Sequence, residues 1–240
     1  MRLLYLMPGN VTGGPLGAGE ILRRRRILEQ WADPNVTVEV WDLPDGPLSI
    51  ESPEDEARCV APMLERVVKA ERSGYDAVLV GCFGDPGVEV AGQRVSIPVL
   101  GPAQTSFYQA ALLGTRFTIL TVVSGVVPIM QRLVKRHEME RWLASIRVIG
   151  TGVLALACDR TRTQRVLLEQ GSRAIQEDGA GALILGCMSM AFEEGLAGRL
   201  QAGLGVPVIN PAHTVLLSAQ ALGRMDLMRR LRTCAPLEAI

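Results

Sequence analysis

Two cysteines hold the chemistry that this sequence offers. Cys82 follows the apolar run 77–80 and a glycine, and Cys187 follows the run 182–185 and a glycine, so AVLVGC at 77–82 stands against ALILGC at 182–187. The likeness continues beyond each thiol, where IPVLGPAQT at 97–105 matches VPVINPAHT at 206–214 and QAALLG at 109–114 matches SAQALG at 218–223. Pro98 to Gly114 and Pro207 to Gly223 both span sixteen residues, while the cysteine-to-proline interval is sixteen in one copy and twenty in the other. The helix after the thiol is therefore the variable part. A repeat of this kind sets equivalent thiols at the carboxyl ends of equivalent strands, facing one another across a cleft by a pseudo-twofold relation.

Such a pair suits proton transfer at carbon. Inverting a stereocentre with an acidic C–H needs a base on one face and an acid on the other, and two identical groups serve both directions. A free thiol ionises near pH 8.5, and a helix amino terminus lowers that value. Asp85-Pro86 after Cys82, and Ser189 with Glu193-Glu194 after Cys187, read as helix starts, so a thiolate is accessible near neutrality. The same backbone amides could hold the oxygen of a developing enolate. Cys59, Cys158 and Cys234 lack a counterpart in the repeat and read as small apolar residues.

The elements that must position the thiols alternate between strand and helix. Strands are expected at 3–7, 36–41, 77–80, 97–100, 117–121, from Val148, at 182–185 and at 206–209. Helices are expected at 21–31, 53–73, 86–95, 103–113, 127–143, 163–177, 193–204 and 214–222. Short apolar strands between helices predict an α/β fold of two pseudo-symmetric units with mostly parallel sheets. Residues 1–102 form the first unit and 103–210 the second, with 211–240 packing back on the first. The glycine-rich stretch 9–19 fits neither phosphate-binding motif and reads as a loop whose backbone approaches a small ligand. Arg23 to Arg26 read as a solvated helix face.

Composition narrows the partners. The 240 residues are 48% hydrophobic but only 4% aromatic, with 25 basic and 25 acidic side chains, which argues for an aliphatic core and against nucleic acid or an anionic membrane as partner. Five scattered cysteines and two histidines make neither a zinc site nor a disulfide framework, so no metal is expected. With no secretory signal and no membrane-spanning run, the cytoplasm is the expected compartment.

At these residues the chain resembles the aspartate/glutamate racemase superfamily, and within it the hydantoin racemase group. Cys82-Phe83-Gly84-Asp85-Pro86-Gly87 is similar to that group's first cysteine motif, and Gly186-Cys187 with Met190-Ala191 to its second. Residues 46–51, Asp55-Glu56-Ala57 and the strand from Arg116 are similar as well. The resemblance implies a cofactor-independent racemase or epimerase, oligomeric, acting on a hydantoin-like or amino-acid-derived small molecule, with Cys82 and Cys187 as the two bases. A decarboxylase or cis-trans isomerase of the superfamily using one thiol, or a relative that binds without turnover, is the alternative.

Phe83, Gly84, Met188 and Ser189, beside the thiols, are expected to line the pocket. Asn10 is expected to reach the substrate, although Met7-Pro8-Gly9-Asn10 stands where the group has Asn-Pro-Asn-Thr. Met188-Ser189 and Val122 replace the group's Ala-Gly and threonine. Asp85 either hydrogen-bonds a substrate N–H or caps the helix of Pro86. Thr121 and Ser124 either line the cleft or end a strand and cap a helix, and His213 is either near the unit junction or structural.

Overall fold

The computed structural model describes residues 1–156 and 158–228. Arg229, Arg230, Arg232 and Cys234 lie outside the described residues. Short aliphatic runs can be buried on both faces when they pair in parallel beneath helices. The first sheet is built that way from β1 (Arg2–Leu6), α1 (Gly17–Trp31), β2 (Thr37–Trp41), α2 (Pro53–Arg72), β3 (Ala77–Val80), α3 (Val88–Gly92) and β4 (Val99–Leu100). Next, α4 (Pro102–Leu112) leads into a second set: β5 (Phe117–Thr121), α5 (Val127–Arg136), β6 (Leu143–Val148), α6 (Arg160–Asp178), β7 (Ala182–Leu185), α7 (Met188–Ala191), α8 (Leu196–Leu204) and β8 (Val208–Ile209). The last described helix is α9 (Pro211–Arg224).

Both sheets have four parallel strands in the same order, β2-β1-β3-β4 and β6-β5-β7-β8. The repeat extends to single hydrogen bonds. Gly81 N donates to Leu6 O at 2.7 Å, as Gly186 N does to Leu120 O, and Val78 N donates to Pro98 O at 2.9 Å, as Leu183 N does to Pro207 O.

Alternation along the strands divides the core. Leu4, Leu6, Val78 and Val80 face Cys59, Met63 and Val67 of α2, while Leu3, Tyr5, Ala77 and Leu79 face a larger core that runs on through Phe107 and Phe117. The helices after the fourth strands cross between the sheets. α9 packs on α1 and β3, α4 packs on α5 and β8, and α4 and α9 pack on each other.

Four elements depart from the sequence reading in ways that matter here. The helix from Val127 stops at Arg136, because Glu138 takes φ +55° and turns the chain into β6, which ends at Val148 instead of opening there. This edge strand is half-buried, and its Ser145 and Arg147 bond to Asp178, so no apolar run announces it. The helix after Cys82 covers only Val88–Gly92, behind Gly87 at φ +64°, rather than starting at Pro86. Similarly, Gly195 at φ +69° separates α7 from α8, so Glu193-Glu194 lie in the connection and not at a helix start.

Candidate active site

Gly81 and Gly186 deliver the thiols. A Cβ at Gly81 would lie 2.8 Å from the Tyr5 ring and 3.0 Å from Leu6 O, and one at Gly186 would lie 2.7 Å from Ile119 and 2.9 Å from Leu120 O. Only glycine lets β3 and β7 end this close to their neighbours. Beyond them Cys82 and Cys187 line one cavity, about 780 Å³ and partly open to solvent. Phe83, Gly84, Met188 and Ser189 line it too.

The segment after each thiol is tied to the next helix, by different residues in the two units. In the second unit Asn210 is the N-cap of α9. Its Oδ1 accepts from Ala212 N and His213 N, and its Nδ2 donates to Ala191 O at the end of α7. In the first unit Gly101 occupies the equivalent place and has no side chain to do this. Asp85 reaches across from the Cys82 loop, accepting from Ala103 N at 2.9 Å and Gln104 N at 2.8 Å. A Cβ on Gly101 would fall 2.2 Å from Asp85 Oδ2, so that glycine is what admits the carboxylate. Asp85 is thus a cap, but of α4 and not of the helix after Pro86. Its burial pushes the carboxyl up to about 7, against the pull of the two amides.

Other expected site residues are engaged away from the cavity lining. Asn10 donates to Pro44 O and accepts from Gly13 N, which fixes the first loop. Thr121 is fully buried at the end of β5 with its hydroxyl unbonded, and Val122 lines the cavity instead. His213 lies against Trp31, and Ser124 is exposed in a 3-10 turn. The glycine-rich loop does approach the cavity, through Gly9 and its neighbours Met7, Pro8 and Val11.

Electrostatics set the resting state of the two thiols. Burial in an aliphatic pocket raises Cys82 well above the ordinary thiol value despite the Gly84 N–H, which donates to Sγ at 3.4 Å. Burial also raises Cys187, opposed by the Ser189 and Met190 amides, the Arg24 charge and the Ser189 hydroxyl. Desolvation outweighs these contacts, which favours the neutral thiol at both positions. Cys59 is buried in α2, donates to Glu56 O and is pushed up to about 12, while Cys158 is exposed.

Arg24 is the cavity residue that the sequence reading missed. It belongs to the run taken as a solvated face, yet it is 3% exposed and lines the cavity with both thiols. Four consecutive arginines on a helix point in different directions at 100° per residue, and only the fold decides which one turns inward. The loop residues Leu48, Ser49 and Ile50 also reach the cavity, held over it by Glu51 Oε1, which accepts from Val153 N at 2.8 Å. Among the described residues, no three His, Cys, Asp or Glu side chains are grouped to hold a metal ion, and no helix is long and apolar enough to cross a membrane.

Comparisons with known proteins bear on this geometry. A family model described as Asp/Glu/Hydantoin racemase matches residues 23–219. The chain is 39% identical over 178 residues to a hydantoin racemase of Rhizobium meliloti, covering 74% of this chain and 73% of that protein. Allantoin racemase from Klebsiella pneumoniae has the same fold with a TM-score of 0.84 at 28% identity, covering 94% of this chain and 89% of that one. Allantoin racemase from Pseudomonas fluorescens matches with a TM-score of 0.86 at 24% identity over the whole of both chains.

Proposed function

This chain belongs to the Asp/Glu/hydantoin racemase family and is an isomerase, and from that premise we propose that it racemises a small hydantoin-like ring by moving protons between carbon and the two thiols of Cys82 and Cys187. One observation carries the reading: two halves of a structural repeat each send a cysteine from the same strand position into one cavity. A planar carbanion or enolate between them would meet one sulfur on each face. In either direction the sulfur that is ionised takes the proton from carbon and becomes a thiol, while the opposite thiol gives its proton to the other face and is left as the thiolate. The apolar lining excludes water from the intermediate, and the Gly84, Ser189 and Met190 amides supply donors where negative charge must form. The free state of Cys59, Cys82, Cys158 and Cys187 suits the reducing cytosol.

The test is proton exchange in D2O with single enantiomers of a hydantoin and of allantoin, followed by NMR and by polarimetry. Cys82→Ser and Cys187→Ser should each lower racemisation by at least about a thousandfold. Each variant should still wash deuterium into one enantiomer without inverting it, and the two variants should choose opposite enantiomers. If either variant racemised at the wild-type rate, the two-thiol reading would be wrong.

A further inference from the structure

Arg24 brings a positive charge into a cavity whose other walls are mostly aliphatic. Its Nε donates to Glu20 Oε1 at 2.7 Å, and its guanidinium carbon sits 4.8 Å from the centre of the Phe192 ring, which fixes the plane of the group. Glu20 does not need it. Arg23 already holds that carboxylate with two bonds, Nε to Oε2 at 2.7 Å and Nη2 to Oε1 at 2.8 Å. The two guanidiniums share one carboxylate, and Arg23 is the member that reaches solvent and is also within the field of Glu193, while the Arg24 side chain is 4% exposed. The Tyr5 hydroxyl beside it is fully buried and lies within the guanidinium's reach, held neutral because burial raises it far above the usual phenol value. A buried cation with spare N–H groups is costly unless something in the cavity neutralises it.

We infer that Arg24 is the specificity-determining residue of this site and that it binds a carboxylate carried by the substrate, so that the preferred substrates are hydantoin-like rings with an acidic substituent. With its Nε on Glu20, a guanidinium still has terminal N–H groups in the fork that matches a carboxylate, which a neutral ring cannot use as well. Arg24 lines the same cavity as Cys82 and Cys187. The neighbouring Ser189 hydroxyl is a second donor there.

The inference rests on the cavity being the site of proton transfer, and the experiment separates the two. Two probes are compared, neutral 5-methylhydantoin and the anionic hydantoin that carries a carboxymethyl group at the same carbon. Wild-type protein should exchange the carboxylate probe with the higher kcat/KM. Arg24→Gln should reduce that preference about thirtyfold, chiefly through KM, and Arg24→Lys should retain part of it. Preference of the wild type for the neutral probe, or an equal loss on both probes in Arg24→Gln, overturns the inference. Titration calorimetry with the carboxylate probe gives a readout independent of turnover. Binding that depends on Arg24 without any exchange would sustain the anchor and refute the racemase reading, whereas no binding by folded wild-type protein would refute the anchor.

Discussion

Asp85→Asn tests how the first thiol is held in place. The carboxylate gives one oxygen to each of two α4 amides, 2.9 and 2.8 Å away. Asparagine has a single acceptor oxygen, so one amide would face an NH2 group instead, at a cost of about 1–3 kcal/mol for a buried unsatisfied donor. The substitution also removes a titration. Asp85 sits at about 7 in the folded protein because of burial, above the roughly 3.9 of an unfolded aspartate. The native state therefore binds the proton more tightly, and the stability this adds is complete below the unfolded value and is lost as pH rises through the folded one. Between pH 5 and pH 8 the loss amounts to about 2.5 kcal/mol. Urea unfolding at both pH values should show wild type losing that much more stability than Asp85→Asn across the interval, so the variant's deficit is larger at pH 5. Parallel pH profiles for the two proteins would refute the assigned burial and cap. Because Asp85 anchors the Cys82 loop, racemisation at pH 8 should fall in the variant even where it is fully folded.

Two further outcomes follow from the same geometry. Among the described cysteines, alkylation by iodoacetamide followed by mass spectrometry at pH 8 should label exposed Cys158 first and Cys82 and Cys187 slowly, with the cavity pair gaining reactivity only as pH rises, since desolvation raises both thiols; early labelling of Cys82 would contradict this. Gly101→Ala should destabilise the fold by about 1–3 kcal/mol in urea, because the added methyl meets Asp85 at 2.2 Å, whereas Gly198→Ala, with open space around its Cβ on α8, should be neutral or mildly stabilising.

The residues that announced themselves in the sequence did so by repetition and by local rules. AVLVG and ALILG are buried strands in any arrangement that covers both faces, and β3 and β7 form where those runs stand. α2 starts at Pro53, where the sequence reading begins that helix, and Ser52 caps it by accepting from Asp55 N, a bond made within three residues. The spacing of the repeat likewise placed two thiols at equivalent strand ends. What the chain order could not reveal depends on partners distant in sequence. Arg24 differs from Arg25 and Arg26 only in facing the cavity rather than solvent, a choice made by the packing of α1 against β2 and α9. Asp85 caps a helix that begins seventeen residues later, in the place left by Gly101, and nothing near Asp85 in sequence shows that α4 comes back to meet it. The protonation of the thiols was decided the same way: local sequence supplies amides that favour thiolate, and the fold removes the water that a thiolate needs. Sequence determined which atoms could do chemistry, because strand period, capping and repetition act over a few residues. Tertiary structure decided their charge, their neighbours and the cation they face, because burial belongs to the whole fold.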